Sequence, residues 1–167
     1  IQKWVNSAVK AQYLDGWAGR GGVPSVTYGN GHLNAGGTAV LTFLLLAKEC
    51  GADVPDHALL GALVHFYRYS GRGHNPYGDG RPEVGFVDNG KNGNLAFAMA
   101  AAAALTPGGE NSVYAQARDA CAMTSFYTTS FMLHGHTGGG IGESWRSPAM
   151  GLLYEQRPKQ YREFMDN

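Results

Sequence analysis

The chain has 167 residues, enough for one domain with a hydrophobic core and too few to expect two. Its 13 basic and 13 acidic side chains balance. This balance argues against nucleic acid as a partner, because nucleic-acid-binding domains carry a basic surface. The apolar runs at 39–47 and 95–105 are shorter than the ~20 residues that cross a bilayer, so we expect no membrane span.

In chain order, apolar residues at helical spacing first predict an amphipathic helix over residues 1–14, followed by a long Gly-rich loop over 16–37. Residues 38–49 are apolar on nearly every side, which is typical of a helix enclosed by other helices. After a short turn, Asp53 is the expected N-cap of an amphipathic helix. Its predicted buried stripe consists of Leu59, Leu60, Leu63, Val64 and Tyr67.

The same order then recurs. A second Gly-rich loop, 70–93, leads into an alanine-rich apolar helix at 95–105, and a Pro-Gly-Gly turn precedes a helix capped by Asn111 or Ser112. A third Gly-rich loop occupies 133–145. The dipeptides Ser147-Pro148 and Arg157-Pro158 are expected to open the last two helices.

This recurrence, at intervals of about 60 residues, indicates an array of helical hairpins. We therefore predict an all-α fold in which residues 1–167 form a single domain of about three hairpins. Such hairpins form either an open solenoid or a closed ring. A ring, the (α/α) toroid, explains why helices that are apolar all round alternate with one-sided ones.

The stretches 34–43 and 54–66 resemble the α/α-toroid superfamily, which includes terpenoid cyclases, protein prenyltransferases and the thioester-containing domains of complement-like proteins. The segments 135–140 and 145–152 are similar to an uncharacterised bacterial family of toroid domains. The chain has neither the Asp-rich motifs of terpene cyclisation nor a Cys-Gly-Glu-Gln thioester motif, so the resemblance does not imply those activities. Toroids of this class have more hairpins than this chain supplies. Because the chain also begins with Ile1, we expect a piece of a ring that missing sequence or another chain completes.

In consecutive hairpins, the loops that lead into the inner helices emerge at the same end. The three Gly-rich loops are therefore predicted to meet on one rim, where glycine lets a ligand approach the backbone closely. The rim would collect polar and aromatic side chains: Tyr28, Asn30, His32, His74, Asn75, Tyr77, Asp79, Arg81, Asp88, Asn89, Lys91, His134, His136, Glu143, Trp145 and Arg146.

We predict that this rim binds a small polar ligand such as a saccharide. The ligand-binding residues would be His32, His74, Asn92, Trp145 and Arg146. The alternative is a glycan-active hydrolase or lyase, in which His136 or Tyr77 is the base and Glu143 the acid. Asn92, Trp145 and Arg146 would then position the substrate.

The loops also admit two other interpretations. Their polar side chains could simply cap helix ends and bond loop backbone. A zinc site built from His74, His134 and His136 lacks a supporting His-Glu-x-x-His or Cys-x-x-Cys spacing, so we predict no metal and no cofactor. The remaining histidines, His57 and His65, are expected to be helix-surface or packing residues. Cys50 and Cys121 are expected to be small buried side chains.

Overall fold

A computed structural model describes residues 1–19, 22–24, 29–71, 73–82, 91–128 and 140–167, of which 140–143 are described by their backbone alone. These residues are mainly helical, and the all-α prediction is confirmed. The helices are α1 (Gln2–Lys10), α2 (Asn34–Glu49), α3 (Asp56–Tyr67), α4 (Lys91–Leu105), α5 (Val113–Tyr127), α6 (Gly140–Gly151) and α7 (Pro158–Asp166). A 3₁₀ helix at Gly109–Asn111 and a ribbon of β1 (Gln12–Tyr13) and β2 (Gly16–Trp17) complete the described elements.

The antiparallel ribbon ends the first helix earlier than the sequence predicts. Leu14 and Asp15 turn the chain with φ angles of 45° and 67°, so the segment that was expected to be helical doubles back instead. Beyond the ribbon, the backbone nitrogen of Leu33 donates to the carbonyl oxygen of Trp17 at 2.8 Å. The ribbon is thereby joined to the residues that lead into α2.

The helices α2, α4 and α6 lie side by side, with α4 between the other two. Near the amino ends of α2 and α4, the Asn94 amide nitrogen donates to Thr38 Oγ1 at 3.0 Å, and Thr42 Oγ1 donates to Asn94 Oδ1 at 3.3 Å. The adjacent Gly93 packs against the backbone of Trp145 in α6. The amino-terminal parts of α2 and α4 therefore lie close together and α6 packs on the start of α4, while α3 packs on α2 and α5 packs on α4.

The hydrophobic core forms between these helices. Its largest fully buried members include Phe66, Leu41, Leu44, Leu95 and Met99. Burying each of these side chains contributes about 1.5–3 kcal/mol relative to leaving it exposed. No described helix has both the length and the apolar content that crossing a membrane requires.

The helix boundaries correct several details of the sequence prediction. Asp53 does not cap α3, because that helix begins at Asp56 after Pro55 and has no side-chain cap. Ser112 does cap α5, accepting a hydrogen bond from the backbone nitrogen of Ala115 at 3.2 Å. Pro148 lies inside α6 instead of opening it. Its missing N–H removes one hydrogen bond of a helix that packs on α4.

The buried face of α3 also differs from the prediction. Leu60 and Val64 are 59% and 74% exposed, whereas Ala58, Ala62 and Phe66 are fully buried. Leu59 and Leu63 of the predicted stripe are buried, and the small residues beside them on the inner face let α3 approach its neighbours closely while Leu60 and Val64 are turned outward.

Two further expectations about burial need correction. Leu46 of α2 is 40% exposed, so α2 is not enclosed on every side within the described part of the chain. Cys50 is exposed and Cys121 is buried, and neither forms a disulfide in the described structure, so only Cys121 follows the prediction.

Candidate functional site

Two groups of buried polar side chains lie near the amino ends of α2 and α4. We call His32, His65 and Asp79 the histidine–aspartate cluster. Its members are 1%, 6% and 5% exposed. The asparagine cluster consists of three more buried residues, His74, Asn75 and Asn92. Burying so many polar groups lowers stability unless they are paired, so a hydrogen-bond partner is expected for each one.

The loops that precede α2 and α4 are held together by backbone hydrogen bonds. The backbone nitrogen of Asp79 donates to the carbonyl oxygen of His32 at 3.2 Å, and that of Ala35 donates to the carbonyl oxygen of Tyr77 at 3.2 Å. Gly29, with φ of +62°, packs so closely on the Asp79 carbonyl that a Cβ atom would collide with it. Residues 29–35 and 77–79 therefore form one continuous surface around the histidine–aspartate cluster.

His32 is fixed on both sides of its ring. Its Nε2 lies 2.5 Å from the carbonyl oxygen of Tyr13 in β1. A carbonyl only accepts, so Nε2 carries the proton. Its Nδ1 lies 3.3 Å from Oδ2 of Asp79, but without the alignment of a hydrogen bond. The ring lies so close to Gly16 of β2 that a Cβ atom there would come within 2.8 Å of it.

His65 is held by an asparagine of the neighbouring helix. Its Nε2 lies 3.1 Å from Oδ1 of Asn34, whose Nδ2 donates to the carbonyl oxygen of Gly78 at 3.1 Å. The bond to Gly78 orients the amide, so His65 donates from Nε2. Burial lowers the pKa of His65 to about 4, and the charge of Arg68 adds to this effect. His65 is therefore neutral near pH 7.

Asp79 accepts hydrogen bonds from Arg68 and Tyr69, the two residues that follow α3. Tyr69 donates its hydroxyl to Oδ1 at 2.8 Å, and Arg68 forms an ion pair with the same oxygen. Burial alone would raise the pKa of Asp79, but the Tyr69 hydrogen bond and the Arg68 charge outweigh it and lower the pKa below its usual value. Burial raises the pKa of Tyr69, which stays protonated. Asp79 is thus an ionised acceptor and is unsuited to be a general acid.

The asparagine cluster contains one amide with unused bonding capacity. Asn92 Oδ1 accepts from the backbone nitrogen of Asn75 at 3.1 Å, and Asn92 Nδ2 lies 2.9 Å from Nδ1 of His74. Asn75 is 0% exposed. Neither its side-chain nitrogen nor its side-chain oxygen has a hydrogen-bond partner among the residues that the structure describes. An amide group can donate two hydrogen bonds and accept two, so this side chain has the capacity to bind a further polar group.

Some of the sequence-predicted site residues are brought together. His32 joins Asp79 in one cluster, and His74 joins Asn92 in the other. Tyr77, the predicted alternative base, is half-buried in the loop that connects the two clusters, and its backbone carbonyl is hydrogen-bonded.

The predicted residues on α6 have different surroundings. The ring of Trp145 lies 5.9 Å from that of Phe97 in α4. Arg146 lies over the ring of Phe164 in α7 at 5.1 Å, in a cleft that Phe126 of α5 also lines. The structure therefore shows Arg146 in a contact between helices. His136 and the side chain of Glu143 lie outside the described residues, so their predicted roles stay predictions.

Sequence reasoning missed the contribution of α3 to this site. His57 is exposed, as expected, but His65 is buried and hydrogen-bonded within the histidine–aspartate cluster. Arg68 and Tyr69 follow His65 at the spacings that place residues on one helical face. That spacing was the available signal, because the three side chains all approach Asp79.

A family model matches residues 1–167 of the chain, and its description is Domain of unknown function (DUF6288). The chain belongs to the DUF6288 family. This membership agrees with the resemblance to an uncharacterised family, and it carries no assigned activity. Neither the curated proteins nor the solved structures include a match to this DUF6288 chain.

Proposed function

We propose that this domain binds a small polar ligand, such as a saccharide, at the surface formed by the loops preceding α2 and α4. The observation that carries this proposal is the unused amide of Asn75, which is completely buried next to Asn92 and His74. An unpaired buried amide costs about 1–3 kcal/mol. Because Asn75 is 0% exposed, the covering loops would have to open before a ligand hydroxyl could bind this amide and recover that free energy.

The neighbouring groups suit a ligand that is rich in hydroxyl groups. Two side-chain amides and an imidazole supply both donors and acceptors, and a hydroxyl group can pair with either kind. Asp79, which the loops bring close by, already accepts from the Tyr69 hydroxyl, and His32 is bonded through Nε2 to the Tyr13 carbonyl. We therefore assign direct ligand contact to Asn75, with Asn92 and His74 fixing its backbone and surroundings.

The state of Asp79 argues against this residue as the acid of a glycan hydrolase. Hydrolysis by acid and base requires one carboxyl group that is protonated near neutral pH. Asp79 has a lowered pKa and two hydrogen-bonding partners on one oxygen, so it does not meet that requirement. A glycan hydrolase or lyase with Glu143 as its acid is the competing proposal.

The two proposals are separated by titrating ¹⁵N-labelled protein with neutral and uronic-acid oligosaccharides. We expect saturable chemical-shift changes at the Asn75 side-chain amide and no new reducing ends or unsaturated products. Asn75→Ala should weaken binding by about tenfold or more. The matched control is Asn111→Ala, since Asn111 is exposed in the 3₁₀ helix that follows the other end of α4. Turnover of the glycan, or equal effects of both substitutions, would contradict the binding proposal.

We also infer that the hairpins belong to an α/α toroid of which this chain forms a part. The inference is supported by the side-by-side packing of α2, α4 and α6, with α3 and α5 packed against them. It is also supported by the open flank of α2, where Ala39 and Phe43 line two apolar grooves. In a complete ring this flank would pack on a further helix, from additional sequence or another chain. An experimental structure of the assembled protein with an open helical array would contradict the ring.

A further inference from the structure

We propose that His32, His65 and Asp79 bind a divalent transition-metal ion, with zinc as the reference ion. These residues each offer one ligand atom, and the three atoms lie within 4.8 Å of one another. Two atoms bound to a tetrahedral zinc at about 2.0–2.1 Å are separated by roughly 3.3 Å. The distance between His32 Nδ1 and Asp79 Oδ2 is 3.3 Å.

In both imidazole rings, a hydrogen-bond acceptor lies at Nε2, the nitrogen that would not bind the metal. Nε2 of His32 faces the Tyr13 carbonyl, and Nε2 of His65 faces the carbonyl oxygen of the Asn34 side chain. In each neutral ring the lone pair is then on Nδ1. Histidines that bind metals characteristically donate their other nitrogen to a carbonyl or carboxylate in this way.

A bound cation would best explain why His32 Nδ1 lies so close to Asp79 Oδ2. With its proton on Nε2, His32 presents the lone pair of Nδ1 to a carboxylate oxygen, and the two atoms repel each other. Either a second proton on the ring or a metal ion between the two atoms removes this repulsion. The contact lacks the direction of a hydrogen bond, which favours the metal ion.

The third ligand is also held by outer partners. Tyr69 and Arg68 occupy Oδ1 of Asp79, which leaves Oδ2 directed at His32. Two nitrogens and one carboxylate oxygen suit zinc and related ions, whereas magnesium and calcium prefer oxygen ligands alone. Three protein ligands leave one position for a water molecule. The proposal does not rest on the proposed ligand site, because the asparagine cluster shares none of these residues.

The test begins with the whole chain, stripped of metal by a chelator and titrated with Zn²⁺ in a calorimeter. We expect one equivalent to bind. In a ¹⁵N spectrum of the wild-type imidazoles, Zn²⁺ should shift the Nδ1 signals of His32 and His65 and leave those of His57 unchanged. Substoichiometric binding would overturn the proposal, as would a His32 ring that carries protons on both nitrogens with or without Zn²⁺.

Substitutions then assign the ligands. His65→Ala and Asp79→Asn should each weaken Zn²⁺ binding by roughly 100-fold or more, whereas His57→Ala, on the exposed face of the same helix, should leave it unchanged. Tyr69→Phe removes only the hydroxyl that holds Asp79 and should weaken binding about tenfold. This last variant retains all three ligands and the aromatic ring in the core, so it remains informative if the first two do not fold. Wild-type affinity in all of the folded variants would overturn the proposal.

Discussion

The side-chain oxygen of Asn34 lies 3.1 Å from Nε2 of His65, and the same amide donates to the carbonyl oxygen of Gly78 at 3.1 Å. One residue at the start of α2 thus fixes both a histidine of α3 and the loop that precedes α4. Asn34 is 0% exposed, so no water competes for either bond. The position of the histidine–aspartate cluster depends on this amide.

Replacing Asn34 by alanine is expected to lower the free energy of unfolding by about 2–4 kcal/mol. The substitution leaves a buried donor on His65 and a carbonyl on Gly78 without partners, and each unsatisfied group costs about 1–3 kcal/mol. Urea denaturation measures the change. Asn30→Ala, at an exposed position in the loop that precedes α2, should change stability by less than about 0.5 kcal/mol. Equal effects of the two substitutions would show that Asn34 has no such role.

The metal-free protein should lose stability as the pH falls below about 6.5. The pKa of His65 is lowered from 6.5 to about 4 by folding, so the unfolded chain takes up the proton first. The stabilisation is complete above the unfolded pKa and is lost as the pH decreases toward 4. Between about pH 7 and about pH 5, we expect a loss of up to about 2 kcal/mol in urea denaturation with a chelator present.

His65→Gln should flatten this pH dependence, and His57→Gln, at an exposed position, should preserve it. A wild-type free energy of unfolding that stays constant over this range would contradict the assignment of His65 as a buried neutral ring.

Gly93→Ala should destabilise the contact between α4 and α6. A Cβ atom at this position would lie 2.8 Å from the carbonyl oxygen of Trp145, a backbone atom that cannot swing away. We expect a loss of about 1–3 kcal/mol, which exceeds the gain of up to about 1 kcal/mol in helix propensity. The melting temperature reports the change.

Gly36→Ala is the matched control, because Gly36 lies in the first turn of α2, as Gly93 lies in the first turn of α4, and is exposed. Its nearest neighbour would be Leu33 Cδ2 at 3.9 Å. This substitution should leave stability unchanged or raise it by about 0.5–1 kcal/mol. If Gly93→Ala raised the melting temperature as well, that result would contradict the close packing of α4 on α6.

Some features with local causes were predictable from the sequence. Ser112, one of the two predicted caps of α5, does cap that helix, and α7 begins at Pro158 as predicted. The equally local signals at Asp53 and Pro148 did not mark helix starts. Which face of α3 is buried was not predictable from hydrophobicity, because apolar residues occur on several faces of this helix. Tertiary packing selected the face with Ala58 and Ala62, where small side chains allow close approach.

The candidate site was predictable only in part for the same reason. The Gly-rich loops indicated that His32, His74 and Asn92 belong to a site. They could not indicate that His65 of α3 joins His32 and Asp79, since these residues are far apart in the sequence and meet only in the fold. That separation is also why the sequence suggested no metal.

The proposed function requires that the Asn75 amide serves a ligand and not the stability of the fold. Urea denaturation of Asn75→Leu in the absence of ligand distinguishes the two roles, because leucine has a similar shape and no polar group to satisfy. We predict that its free energy of unfolding equals or exceeds the wild-type value by about 1 kcal/mol, whereas Asn92→Leu loses about 2–4 kcal/mol because it breaks bonds to Asn75 and His74. A comparable loss in Asn75→Leu would show that the amide is part of the fold, and would contradict the proposed function.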